Sequence, residues 1–380
     1  MCINASVYLY GNYDIIIVMV DVIILGTVGA IDLYVVTKLF SVFRRLSVKP
    51  SKYDVNETDL PTVSVCITAR DETHAMTQCL ERVVGSDYPK LEVIVLDDQS
   101  HDDTSILIKS FAHSGVRFVE GKPLVEGWLG KNHAQARLAD EASGQIVFFM
   151  DVDTMIARHT IASLVQYYLR HKARMVSVVP IRNDHWTMST LFTTMRHFWT
   201  LMRFRPHAPR AVANAWLIDR KTVLDQLETD ASLPISVQME TTIAKKLAKT
   251  KEYRLTMSNK WLGLSYEKRW SSQVETSIRL LYPQSSGNSI QVAWLITLLA
   301  TVLLPYVFVW WYPWMLGAIV GQYLLAFYYL SRVWVRYRVI GALLLPLTVI
   351  QEILLLIIST YRYNFGTITW KGRPVQRVRK

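Results

Sequence analysis

Apolar residues crowd the two ends of this 380-residue chain, and that distribution constrains the fold more than any single motif. From Ile15 to Phe40 the sequence reads IIIVMVDVIILGTVGAIDLYVVTKLF, long enough as a helix to cross a hydrocarbon core of about 30 Å. Its length sets it apart from a cleaved signal peptide. Three more stretches, Ile290 to Trp311, Trp314 to Leu330 and Val339 to Ile358, follow near the C-terminus. Residues 50–288 between the two ends have ordinary mixed composition and suffice for one domain with its own core. The expected organisation is a short external N-terminus (1–13), a transmembrane helix (14–40), a cytoplasmic domain (50–288), a C-terminal transmembrane region of two to three spans (289–361) and a basic tail (362–380).

The net charge of +11 raises the question of nucleic acid, but a nucleic-acid binder gathers its Lys and Arg on one face of a recognisable module. Here many of them flank apolar segments. Lys38, Arg44, Arg45 and Lys49 close the first, Arg332, Arg336 and Arg338 separate the third from the fourth, and Lys371, Arg373, Arg377, Arg379 and Lys380 end the chain. The positive-inside rule then puts the N-terminus outside and the central domain in the cytoplasm of a multi-pass protein of the cell membrane. The last segment, with Pro346, Gln351 and Glu352 in it, either crosses and leaves the basic tail outside or dips in and returns. Cys2, Cys66 and Cys79 are isolated, with no metal or disulfide spacing.

Within the central domain, short β-branched runs alternate with helical patterns. Thr62 to Thr68, Leu91 to Leu96, Gly115 to Val119 and Gln145 to Met150 read as strands, with helices through Val84, after DDQSHDDT and over Lys131 to Ala142. Ser100 with Asp103 resembles a capping box. Such alternation implies an α/β fold with a mainly parallel sheet, whose ligands bind outside the carboxyl ends of the strands. Three strands end there in polar clusters, which makes Ala69, Arg70, Glu72, Asp97, Asp98, Lys131 and Asp151 the candidate substrate-binding residues.

Asp151 and Asp153 leave the same side of an extended segment, and two carboxylates so close call for a cation, Mg²⁺ or Mn²⁺, unless the pair is a solvated turn. Asp98 suits a nucleobase N–H or a ribose hydroxyl, while turn chemistry is the plainer account of Asp97 and Asp98. Lys131, beside Gly127 and Gly130 ahead of a helix, suits a phosphate, or else is an exposed lysine on a tight turn. Met239, Ile243 and Leu247 mark a buried helical stripe. Glu240 lies one step round from it, placed either as a general base at a cleft rim or as a surface glutamate.

The strings PTVSVCITARDE, LEVIVLDDQSHDDT, GWLGKNHA and QIVFFMDVDT, in this order and spacing, resemble family 2 glycosyltransferases of the GT-A fold. With its flanking spans the chain resembles the membrane-anchored bacterial branch that includes hopanoid-associated and carotenoid-acid glycosyltransferases. The resemblance covers Pro61 to Leu169, with weaker support to Pro283. It implies a Rossmann-like domain in which Asp98 contacts the nucleoside, uridine by preference, and Asp151 and Asp153 hold a metal on the diphosphate of a nucleotide-sugar. Aligning back from Glu252-Tyr253-Arg254 puts Glu240 at the catalytic base, with Met239 where the family has an acid and Glu where it usually has Asp. The QxxRW string of processive synthases is reduced here to Tyr266-Glu267-Lys268-Arg269-Trp270.

The reading that follows is a single-transfer, inverting enzyme with a lipid-like acceptor, against a processive polysaccharide synthase or a catalytically silent membrane scaffold. Apolar and basic residues near 185–204 suggest an interfacial helix, or simple core packing, and 266–282 suggests a second. Asp14, Asp21 and Asp32 share one face of the first span, an arrangement costly in lipid unless they face other helices or a polar groove.

Overall fold

The computed structural model describes residues 4–48, 59–183 and 195–375. Helix α1 spans Asn4–Leu46, so the expected free N-terminus of 1–13 is already helical from Asn4 onward. Its inner end does not stop at a membrane surface. Leu39, Val42, Phe43 and Leu46 are buried in the core of the central domain, and Ser47 bridges to Met257.

The domain then runs β1 (Val63–Ala69), α2 (Thr73–Val84), β2 (Leu91–Asp97), α3 (Thr104–Ser110), β3 (Val116–Glu120), α4 (Gly130–Glu141), β4 (Ile146–Asp151), β5 (Thr154–Ile156), α5 (Thr160–Arg170), β6 (Met175–Val179) and β7 (Ile181–Arg182). It continues with α6 (Arg196–Met202), β8 (Ala215–Asp219), α7 (Arg220–Thr229), α8 (Met239–Lys249), β9 (Tyr253–Met257), β10 (Leu264–Tyr266) and α9 (Trp270–Gln284). Seven strands form one sheet in the order β3-β2-β1-β4-β8-β6-β9. All its pairings are parallel except those of β8, which runs against β4 and β6. Alternate residues serve the two faces: Val63, Val65 and Ile67 pack on one apolar layer and Cys66 on the other. A small sheet, β5-β10-β7, sits beside the end of β4.

The expected capping box is not formed. Ser100 Oγ donates to Asp97, Asp103 makes no side-chain cap, and Asp102 instead accepts from the backbone N–H groups of Thr73 and Thr104. A carboxylate two residues before the helix reaches both free helix starts, which one at the cap position does not.

After the domain come α10 (Ser289–Phe308), α11 (Met315–Val333), α12 (Arg338–Leu343) and α13 (Leu345–Phe365), then the hairpin β11 (Ile368–Trp370) and β12 (Arg373–Val375). Among the described residues three helices are long and apolar enough to cross a bilayer: Val22–Leu46, Ser289–Phe308 and Leu345–Phe365. The stretch in α11 is not one of them, because Gln322, Tyr323, Tyr328 and Tyr329 make it more polar. Helix α13 follows α9 in the same direction. Trp270 Nε1 donates to Gln351 at 3.3 Å, Ser359 to Ile278 O at 2.6 Å and Tyr363 to Arg279 O at 2.7 Å. From its end the chain returns directly to the central domain.

Candidate active site

The carboxyl ends of β1, β2 and β4 lie side by side, as parallel pairing in register requires: Ala69 is opposite Asp97, and Thr68 opposite Asp151. Of the residues expected there, some line a pocket and some hold its floor. Ala69 O accepts from the Asp98 N–H at 2.7 Å, and the buried Arg70 guanidinium donates to Asp98 O at 2.6 Å and Gln99 O at 3.1 Å. Asp97 is turned away, its carboxylate accepting from Ser100 and Ser105. These three fix the loop that presents Asp98, so turn chemistry does account for Asp97.

Gly121 explains the tightness of that loop. A Cβ there would stand 2.9 Å from Asp98 Cα, against a backbone that cannot yield cheaply. Gly121→Ala is expected to cost about 1–3 kcal/mol of stability, measurable by thermal unfolding.

The pocket, of about 100 Å³, has Glu72, Lys131, Asp151, Asp153, Glu240 and Lys268 in its wall. Its charges are matched in pairs. Lys131 bonds to Asp151, Lys268 Nζ lies 2.9 Å from Asp153, Lys371 bonds to Glu72, and Arg373 Nη1 reaches the two Asp98 oxygens at 2.9 and 2.8 Å. Burial raises the pKa of the Asp98 carboxyl, with Arg373 opposing it. Burial likewise raises that of Glu72, with Lys371 opposing. Asp98, 4% exposed, therefore sits behind Arg373 rather than open to the pocket.

Lys131 stands in the first turn of α4 and not ahead of the helix, because α4 already begins at Gly130. The next residue has a separate task. Asn132 Nδ2 donates to Leu233 O at 2.8 Å, Pro234 O at 3.1 Å and Ser236 O at 2.8 Å. It ties down the loop that leads into α8, where Glu240, 6% exposed, occupies the first turn and faces the pocket rather than solvent. Asn132→Ala removes all three bonds at once, with Leu233 O and Pro234 O keeping only the Ser236 and Leu129 N–H groups, an expected cost of about 1–3 kcal/mol, read as a lowered unfolding midpoint.

Whether a divalent cation fits is tested by Asp153. Its Oδ1 is buried with no hydrogen-bond partner among the described residues, an open hard-oxygen ligand beside Asp151. No group of three or more His, Cys, Asp or Glu side chains suited to a metal occurs among the described residues, so Asp151 and Asp153 are the two carboxylates the protein would offer to a cation.

Three further cations of the site, Lys268, Lys371 and Arg373, carry no local signal that marks them as site residues. In the sequence the last two read as topological charge, and Lys268 stands out only as part of a degraded QxxRW string. Residues 184–194, with Trp186, Leu191 and Phe192 of the expected interfacial segment, lie outside the described residues, as do the side chains of Asp14 and Asp21.

A family model described as Glycosyl transferase family 2 matches residues 64–218. The probable glycosyltransferase YdaM of Bacillus subtilis is 33% identical over 122 residues, 31% of this chain and 28% of that protein. Undecaprenyl-phosphate 4-deoxy-4-formamido-L-arabinose transferase of Aeromonas hydrophila is 31% identical over 143 residues, 36% of this chain and 42% of its own length. The chain thus spans less than half of these curated relatives. The mannosyltransferase PcManGT from Pyrobaculum calidifontis, solved in complex with GDP-Man and Mn²⁺, superposes with a TM-score of 0.55 at 20% identity, over 89% of this chain and 97% of that one, a likeness of fold. The segment 64–218 is thus similar to family 2 glycosyltransferases, and the sheet order agrees with the superposition in giving the chain a GT-A-like α/β fold.

Proposed function

We propose that this chain is a membrane-bound, inverting glycosyltransferase that moves a single sugar from a nucleotide-sugar, a UDP-sugar by preference, to a lipid-like acceptor. The observation that carries this reading is the convergence of Asp151, Asp153, Lys131, Lys268 and Glu240 on one pocket. A UDP-sugar donor and the hopanoid- and carotenoid-acid-associated branch rest on resemblance. Support for the metal comes from the Mn²⁺ in the structure of the mannosyltransferase, and for the lipid from the undecaprenyl-phosphate in the relative's name.

Asp151 and Asp153 would hold Mg²⁺ or Mn²⁺, which would supply positive charge to the departing diphosphate. Lys131 and Lys268, each paired with one of those carboxylates, are placed to bind the same phosphates. Asp98 accepts from the nucleoside once Arg373 lets go of it. Glu240 takes the proton of the attacking hydroxyl. The acceptor oxygen bonds to the anomeric carbon as the bond to the diphosphate breaks, and that electron pair leaves with the nucleoside diphosphate.

The domain faces the cytoplasm by the positive-inside rule. Helices α9 and α13 advance together and return the tail to the side of the domain.

The test is transfer of radiolabel from a panel of UDP-sugars into the lipid extract of membranes containing the protein, with and without Mn²⁺. One discrete labelled lipid is expected. A ladder of lengths points to processive synthesis, and no metal-dependent lipid label from any donor overturns the reading in favour of a scaffold.

A further inference from the structure

A second, larger cavity of about 570 Å³ lies between α1, α6, α10, α11 and α13, in the size range of small-molecule sites. Its wall is mainly apolar, and Trp294 of that wall is also exposed on the outer surface of the long apolar helix α10. Helix α6 divides it from the catalytic pocket. His197 and Thr200 on one side of this helix line the catalytic pocket, while Met195, Phe198, Trp199 and Met202 on the other side line the cavity. The spacing i, i+3, i+4, i+7 is one helical face. Glu352 of α13 holds the divider in place, accepting from Trp199 Nε1 at 2.7 Å and from the Met195 N–H at 3.1 Å.

The two linings come together past the end of α6, where Arg203 of the cavity bonds Gln284 of the catalytic pocket, and the groups there are cationic. Arg203 lines the cavity, lies over the Trp199 ring at 5.4 Å, and donates to Gln284 O, whose residue lines the catalytic pocket. Arg210 donates to the same carbonyl at 2.8 Å. Among the described residues neither guanidinium has a carboxylate within ion-pair distance, in contrast to the four paired cations of the catalytic pocket. Burial, and then the neighbouring Arg210, pull Arg203 down to about 10. Lys38 Nζ donates to Phe204 O at 2.8 Å, one residue beyond Arg203. Asp32, also on the cavity wall, is six residues and about 9 Å farther up α1. An anion is thus repelled from the outer end and drawn to the inner one.

We infer that this cavity holds the apolar chain of an anionic lipid acceptor, with the negative group of its head, a phosphate or a carboxylate, at Arg203 and Arg210 and its attacking oxygen beyond them in the catalytic pocket. The inference rests on the glycosyltransferase reading for the word acceptor, but the binding it describes does not need a donor. The carrying observation is the juxtaposition of a largely apolar cavity among the long apolar helices with two guanidiniums, without a carboxylate partner among the described residues, that bind the carbonyl of Gln284 in the wall of the carboxylate pocket.

The experiment is native mass spectrometry of the full chain in neutral detergent, offered oleate, dioleoyl phosphatidic acid, oleyl alcohol and dioleoylglycerol in turn. Charge-assisted hydrogen bonds predict retention of at least one anionic lipid about tenfold or more over its neutral partner. Leu298→Trp, which fills the cavity, should lower retention of all four. Arg203→Gln with Arg210→Gln should erase the preference while leaving neutral lipids as they were, and Arg203→Lys with Arg210→Lys should keep it. Preference for oleate indicates a carboxylate head, and preference for phosphatidic acid a phosphate. Equal retention of charged and neutral lipids by the wild-type chain, or a preference unmoved by the glutamine pair, overturns the inference. Failure of the glycosyltransferase reading would look different: lipid preference intact, with no metal-dependent release of nucleoside diphosphate.

Discussion

Asp153→Asn is expected to lower Mn²⁺-dependent release of nucleoside diphosphate from a UDP-sugar about a thousandfold, the rate equivalent of roughly 4 kcal/mol. The side chain keeps its size, so the buried surroundings of Asp153 stay filled. What disappears is the charge and the unsatisfied Oδ1 that marks it as a cation ligand. Lys268, now 2.9 Å from a carboxylate, would face a neutral amide and remain free to meet phosphate. Metal-free binding of UDP should consequently change little while the metal-dependent rate collapses. A variant that keeps its Mn²⁺-dependent rate within tenfold of wild type would mean that Asp153 holds no metal.

Glu240→Gln should leave donor binding intact and reduce transfer about 10²- to 10⁴-fold, the span expected for loss of a general base. The two side chains are isosteric, so the buried first turn of α8 is undisturbed. Glu240→Asp makes a sharper comparison. It restores the residue usual in the family but draws the carboxylate back by one methylene, and a misplacement of about an ångström can cost roughly a hundredfold. Transfer by the aspartate variant is expected to fall between wild type and the glutamine variant. Measured by lipid-bound radiolabel at saturating donor, an unchanged rate for Glu240→Gln would remove Glu240 from the chemistry.

Both residues are legible in the sequence because their signals are local. Asp153 stands just past the end of a strand, two positions from Asp151. The buried stripe Met239, Ile243, Leu247 sets the phase of α8, and with it the position of Glu240 on the helix. The same local logic misassigns Ser100 and Asp103, since a cap depends on which free N–H groups are within reach, and those of α2 come from another part of the chain. It also spreads the substrate role over Ala69, Arg70 and Asp97, which in the fold clamp the loop beneath Asp98. Sequence pattern places a residue at a strand end but does not say which way its side chain leaves.

By itself the sequence determined the long apolar helices at the two ends, the alternation of strands and helices and the carboxylates at the strand ends, because hydropathy, periodicity and spacing are properties of neighbouring residues. Only the tertiary structure decided what neutralises those carboxylates. Lys371 and Arg373 reach Glu72 and Asp98 across 299 and 275 positions, by way of an apolar helix that runs along α9 and hands the tail back to the pocket. Tertiary packing likewise made α6 a wall with two lined faces and set Arg203 and Arg210 at its end. Contacts of that range depend on how whole elements pack, since burying an ionised group without a partner is too costly for a core to tolerate. Two of the charges that looked like a membrane signature in the chain, Lys371 and Arg373, line the candidate site once it is folded.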